Sequence, residues 1–251
     1  IQGEAGLAGA TGPQGEIGPQ GIQGLLLSGD APGNTAFWNG SFWVTNSSNI
    51  FNNGYNIGIG TIIPQYKLDV NGDASFNNVL VGRGGSNNIF NTAIGNSTLH
   101  NNISGSQNVG VGYHSLSSNT SGSNNTGIGS LSLEYVTSGH ANTAVGTNSQ
   151  NNNSTGIGNS SLGLLSLHSN IAGHFNTAIG MFALVNNISN LNTAVGYSAL
   201  NDNTNGDENT ALGGFALYHN KASGNTSTGY AALQENTTGN NNTANGRQAL
   251  F

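Results

Sequence analysis

Apolar residues in this chain come in short pulses rather than stripes. From Asn91 onward, two or three small or branched apolar residues are followed by Gly, a few polar residues, an Ala-Leu pair and then a long polar stretch. A helical period of 3.6 is absent, and so is the sustained alternation of a long strand. The consensus is Asn-Thr-Ala-Val-Gly-x-x-Ala-Leu, clearest at Asn91–Gly95, Asn142–Gly146, Asn176–Gly180 and Asn192–Gly196. Ten copies are anchored on glycines 95, 112, 129, 146, 158, 180, 196, 213, 229 and 246, most of them 16 or 17 residues apart. Spacings of 12 and 22 flank Gly158, so a short loop followed by a long one is expected there. Leu stands four residues after nine of the ten glycines, and Gln150 takes its place in the fourth copy.

A fixed period below twenty residues predicts a solenoid, because helical repeats need more than thirty residues for two helices. Thr, Val and Ile favour strands, while Gly and Asn favour turns. Each copy is therefore read as one strand at Thr-Ala-Val-Gly and a second near Ala-Leu. The branched residue before Gly and the following Leu are read as the inward face: Val145, Ile179, Val195, Leu184 and Leu200, around Gly146, Gly180 and Gly196. Asn at matched positions is expected to form side-chain ladders along the stack. Whether each chain winds its own coil or three intertwine is left open.

The N-terminal pattern is different. Gly occupies 3, 6, 9, 12, 15, 18, 21 and 24. Only a collagen triple helix requires Gly at every third position, because only hydrogen fits at the three-chain axis. Gly3, Gly6, Gly9, Gly12, Gly15, Gly18, Gly21 and Gly24 thus predict a parallel homotrimer, and eight triplets call for a clamp downstream. The run 36–44 reads as a hairpin turning at Asn39-Gly40, with Phe37 opposite Phe42. Phe37, Trp38, Phe42 and Trp43 are read as an aromatic trimer-closing knob. The stretch 66–73 reads as a second hairpin turning at Asn71-Gly72. Asp69, Asn71 and Asp73 share the opening of a calcium loop, but Leu80 stands where its Glu belongs, so a turn cluster is expected. Three segments follow: a collagen-like stalk over 1–26, a β-hairpin junction over 27–90 and a ten-copy solenoid over 91–251. The fold class is all-β fibrous, a collagen triple helix followed by a trimeric parallel β-roll or β-helix.

Composition agrees with a rod rather than a globule. Forty residues are Gly, 35% are hydrophobic and only 6% are charged, which starves an ordinary core and also rules out charge-driven disorder. Net charge is −6 with four basic residues, Lys67, Arg83, Lys221 and Arg247, so no nucleic-acid partner is expected. No apolar run approaches a membrane span, and there is no cysteine.

Two segments, 56–61 (Asn-Ile-Gly-Ile-Gly-Thr) and 66–72 (Tyr-Lys-Leu-Asp-Val-Asn-Gly), resemble stretches of bacteriophage tail fibres and of collagen-containing surface proteins. The Asn-Thr-Ala-Val-Gly copies are similar to head repeats of trimeric autotransporter adhesins, which form parallel β-rolls in trimers; the period here is longer. The resemblance implies an extracellular fibre, on a virion tail or cell surface, that attaches to a glycan or protein receptor. A self-assembling filament of trimers joined end to end is the alternative. No catalytic residue, cofactor or metal is expected, since the acids are scattered and only Asp202, Asp207 and Glu208 lie close in sequence.

Overall fold

The computed structural model describes residues 34–38, 40–41, 43–86 and 88–251; the Gly-X-Y run at 3–24 and Phe42 lie outside them. The chain forms two units, one ending at Asn71 and one beginning at Gly72. No helix occurs among the described residues, so none is long and apolar enough to cross a membrane.

The first unit holds a four-stranded sheet in chain order: β1 (Asn34–Trp38), β2 (Trp43–Asn52), β3 (Ile57–Ile59) and β4 (Leu68–Val70). β1 and β2 are the expected hairpin, but Phe37 pairs with Val44 and Trp38 with Trp43. The connection is four residues long, not two, which slides the register by two. An even slide leaves every side chain on its original face, so the apolar pattern alone does not exclude it. The second expected hairpin does not form. β4 runs parallel to β3, Ile57 against Leu68, and the Asn71 N–H donates to the Ile59 carbonyl at 2.8 Å. Gly72 then opens the second unit.

That unit is a twelve-stranded sheet whose order follows the chain. It begins with an antiparallel hairpin, β5 (Ala74–Phe76) and β6 (Val79–Gly82), turning at Asn77-Asn78 with both residues at positive φ. Positive φ at both central positions is the requirement of a type I′ hairpin turn. The solenoid's sheet thus already starts within the segment read as junction. β6 pairs antiparallel with β7 (Thr92–Gly95). From there all strands are parallel, one per coil: β8 (Val109–Val111), β9 (Thr126–Ile128), β10 (Thr143–Val145), β11 (Ser160–Leu162), β12 (Thr177–Ile179), β13 (Thr193–Val195), β14 (Thr210–Leu212), β15 (Thr226–Thr228) and β16 (Thr243–Asn245). The chain winds its own coil, a β-solenoid with turns of about 17 residues.

Register corrects the fifth copy. Val145 pairs with Leu162 and Leu162 with Ile179, so the repeat glycine is Gly163, not Gly158. The corresponding core leucine is Leu167, fully buried, while Leu162 is exposed. No short and long loops alternate; the sequence Asn-Ser-Ser-Leu-Gly at 159–163 had disguised a regular copy.

Each rung has one strand, and the expected second strand is absent. Leu99, Leu116, Leu133, Leu167, Leu184, Leu200, Leu217 and Leu233 adopt left-handed φ of 50–55°. The residue two before each is left-handed as well, for example His114, Leu131 and Phe182. These alternate with residues of negative φ, which bends the chain while successive N–H groups still point alternately to the two neighbouring rungs. The Leu131 N–H donates back to Tyr113, and the Leu133 N–H forward to Ser149. A left-handed residue costs about 1–2 kcal/mol, and burying a Leu returns about 1.5–3 kcal/mol before its backbone bond is counted.

The inward partner of Leu is Ala, not the branched residue. Ala144, Ala178 and Ala194 are fully buried, whereas Ile179 is 41% exposed and Val145 and Val195 are half-buried. Alternation along a three-residue strand sends one residue inward and its two neighbours outward. Since the interior between strand and Leu corner is narrow, only a small residue fits. Where Gly110 and Gly127 replace Ala, Thr98 and Ser115 fill the space, 2.5 and 2.6 Å from where a Cβ would stand.

Candidate interaction surface

The solenoid's interior is chemically closed. Asn91, Asn108, Asn125, Asn142, Asn159, Asn176, Asn192, Asn209, Asn225 and Asn242 form one column just before the strands. In every step the side-chain oxygen of one Asn accepts the backbone N–H of the next, at 2.8–3.1 Å. Their amide nitrogens donate to loop carbonyls, such as Asn142 to Gly156 and Asn159 to Gly173 at 2.8 Å. A second column, three residues after Leu, holds Asn102, Asn119, Asn153, Asn170, Asn187, Asn203, Asn220 and Asn236. Asn102, Asn119 and Asn170 donate to the same carbonyls as the first column, those of Gly105, Gly122 and Gly173. The expected ladders therefore exist, and twice over. Aligning the copies on Leu would have revealed the second one.

Irregularities in the period are absorbed here. The two rungs of 16 residues lack one residue between the Asn columns, and in both the amides meet directly: Asn192 to Asn187 and Asn225 to Asn220, each 3.2 Å. Val136 interrupts the second column. It has no amide to donate back, and the Asn119 Oδ1 on the preceding rung is accordingly buried without a partner. The other such atom is Asn170 Oδ1; the Asn187 amide above it turns to the Ser189 carbonyl instead.

Gln150 is the exception in the Leu column. Its amide donates to the Thr143 carbonyl (2.8 Å) and to Ser161 Oγ (2.9 Å), and its oxygen accepts from Asn153 (3.1 Å). Ser161 stands where most rungs have Ala. This polar layer divides the apolar interior into two clusters, one around Leu99–Leu133 and one around Leu167–Leu233. We expect Gln150→Leu and Ser161→Ala to be strongly non-additive, since each residue satisfies the other. A double-mutant cycle by denaturant unfolding should give a coupling of about 1 kcal/mol or more, favouring Leu and Ala together. Simple additivity would refute the pairing.

Ionisable groups do not converge. Asp69 accepts the Gln65 N–H, and Asp73 accepts those of Arg83 and Gly84, so both serve as backbone acceptors in turns. Asp73 also lines a depression of about 340 Å³ with Ser75, Asn78, Leu80 and His100. The sequence cluster 202–208 separates in space. Asp202 pairs with His219 (2.9 Å) one rung on, and Asp207 accepts the Asn190 N–H (2.7 Å) one rung back. Among the described residues no three His, Asp or Glu side chains are placed to hold a metal ion.

His168 is the group whose titration matters. Desolvation by burial lowers its pKa below the ordinary 6.5. The folded chain therefore resists the proton that the unfolded chain takes up. Stability should be flat above pH 6.5 and fall as pH drops below it. In His168→Gln, thermal unfolding followed from pH 7.5 to 5 should lose this part of the acid sensitivity.

Outside, the strand face is apolar and uncharged. Ile94, Val111, Ile128, Val145, Leu162, Ile179, Val195 and Leu212 form one aliphatic column beside a column of mostly Thr. The residue after each motif glycine extends the surface with Tyr113, Leu164, Met181, Tyr197 and Tyr230, all exposed. Towards the C-terminal rungs the rings meet edge to face: Phe182 with Tyr197, Tyr197 with Phe215 (5.2 Å) and Phe215 with Tyr230 (5.9 Å). Arg247 lies over the Tyr230 ring at 5.7 Å. Of the junction aromatics, Trp38 is exposed and its backbone pairs with Trp43.

Comparison of the chain with protein-family models, with curated proteins and with solved structures finds no match. What the structure itself establishes is a β-helix repeat rod.

Proposed function

We propose that this protein is a homotrimeric structural fibre that extends from a virion or cell surface and mediates attachment. The observation that carries the reading is axial continuity. From β7 to β16 each motif glycine and each strand-leading residue donates its N–H to the adjacent rung at 2.8 Å, and the Asn column repeats the link inside. Such a rung contacts only its neighbours, so the stack resists bending and transmits load along one axis. The Gly-X-Y run adds a requirement for three parallel chains. The reading assigns the protein no catalytic step, cofactor or metal. It is supported by carboxylates already engaged by backbone amides at Asp69, Asp73 and Asp207. Attachment would proceed through weak contacts multiplied over chains, to a surface glycan or protein.

Electron micrographs of the purified protein test the architecture: discrete rods of one length are expected. Open-ended polymers would replace the fibre with an end-to-end filament. Labelled full-length protein should be retained on some bacterial or eukaryotic cell surface, and retention on none would remove the attachment role.

A further inference from the structure

The branched residues that the pattern placed in the core stand outside it, and this has a consequence for assembly. Ile128, Leu162, Ile179 and Leu212 are 39–52% exposed on neighbouring or nearby rungs, and Ile94 matches them. A folded chain that already fills its interior with Ala and Leu gains nothing for its own stability from a second aliphatic column facing solvent. Scattered exposed apolar residues are ordinary, but an unbroken file at one per rung is a contiguous patch.

We infer that the outward face of β7–β14, with the aliphatic column 94, 111, 128, 145, 162, 179, 195 and 212 at its centre, is the surface by which copies of this chain pack against one another in parallel register. This rests on the multi-chain reading above. Four observations favour a second copy as the occupant. First, the outward strand positions and the residues after the motif glycines carry no charge from Thr92 to Gly214. Identical copies meeting face to face therefore meet no like-charge repulsion. Second, the face repeats with the rung, so two parallel copies in register present each rung with its own equivalent. Third, the patch is bounded: in β15 and β16 the aliphatic position becomes Thr228 and then Asn245, and Arg247 follows. A surface kept apolar only for general reasons would not stop at a defined rung. Fourth, the size is suitable. Eight rungs at about 4.8 Å make a strip of about 40 Å, and three residues across give about 15–20 Å of width. The resulting ~600–800 Å² per chain is close to the ~800 Å² per partner of a stable interface. The Gly-X-Y run requires its chains parallel with N-termini together, which is the arrangement this face needs.

The chain lacks cysteine, so a single introduced thiol reports proximity without interference. Full-length Ile128→Cys, oxidised under mild conditions, is expected to cross-link into covalent dimers, because side chains meeting across the face can bring their Cβ atoms to the ~4 Å a disulfide needs. Thr155→Cys, exposed in a connecting segment, should stay uncross-linked. In parallel, Ile128→Lys/Ile179→Lys should weaken association at least 100-fold in sedimentation equilibrium, while the β-type circular dichroism spectrum stays that of the parent. If the parent chain associates but Ile128→Cys does not cross-link and the lysine variant still associates, the face is wrong and the multi-chain reading survives. If the parent sediments as a single chain, both fall. Loss of the β spectrum in the lysine variant would instead show that these residues hold the coil together, which also overturns the proposal.

Discussion

Replacing Gly146 with Ala should destabilise the solenoid by about 3–5 kcal/mol, and the damage should centre on the neighbouring rungs. Gly146 sits at φ +130°, a conformation that L-residues rarely adopt. A Cβ there would lie 2.5 Å from the Gly163 carbonyl oxygen and 2.7 Å from its carbon. The obstacle is backbone, which cannot swing away as a side chain would. Strain at such a dihedral costs about 1–3 kcal/mol, and forced overpacking adds about 1–3 kcal/mol. The same contact recurs at Gly112, Gly129, Gly163, Gly180, Gly196, Gly213 and Gly229, each meeting the next rung's glycine at 2.4–2.7 Å or thereabouts. These glycines form a close-packed column in which every member excludes a side chain from the one before. Gly214 is the control. Its φ is not positive, and a Cβ would meet the Tyr230 ring and the Tyr197 carbonyl at 3.6–3.9 Å. Gly214→Ala should therefore change stability by less than about 1 kcal/mol. Rungs in a solenoid open locally, so amide hydrogen exchange is the informative readout. Protection should collapse around β10 and β11 in Gly146→Ala and persist in Gly214→Ala. Equal effects in the two variants would defeat the argument.

Asn159→Ala should have a comparable effect, about 3–5 kcal/mol, from hydrogen bonding alone. The buried Asn159 oxygen accepts the N–H and the side-chain amide of Asn176, and its own amide donates to Asn142 Oδ1 and the Gly173 carbonyl. Truncation leaves a buried backbone N–H, a carbonyl and an amide short of partners, at about 1–3 kcal/mol each. Water has no ready route to them, since Asn142, Asn159 and Asn176 are all fully buried. The exposed Asn101, on the same chain but outside both columns, gives the contrast: Asn101→Ala should be close to neutral. Chemical denaturation of the two variants decides the point. If they unfold alike, the interior column is a consequence of the coil and not a support of it.

The sequence carried the architecture because repetition is itself a physical constraint. A period near 17 with one Gly and one Leu per copy leaves room for a stacked β-coil and for little else. It carried the Asn ladders for the same reason: identical residues one period apart must stack. It also identified Gln150 as the odd copy, although not that Ser161 had become its partner. Two things were misread for a common reason. Gly158 and Gly163 both satisfy a short motif, and only the pairing of Leu162 between Val145 and Ile179 separates them. Likewise Phe37 opposite Phe42 and Phe37 opposite Val44 obey the same alternation, and hydrogen bonding selects the second.

The direction in which a side chain points was beyond the sequence's reach. In Thr-Ala-Val the most hydrophobic residue is the natural choice for the interior, yet Ala144 is buried and Val145 half-exposed. The decision belongs to the corner of the coil. Left-handed Leu residues reach across and occupy the centre, leaving opposite them only the volume of a methyl group. The periodicity of Gly, Leu and Asn thus determined that the chain coils and how long each rung is. Which residues fill the coil, and which are left outside, was settled only when the turns closed, because steric volume inside a rung depends on atoms more than ten residues apart.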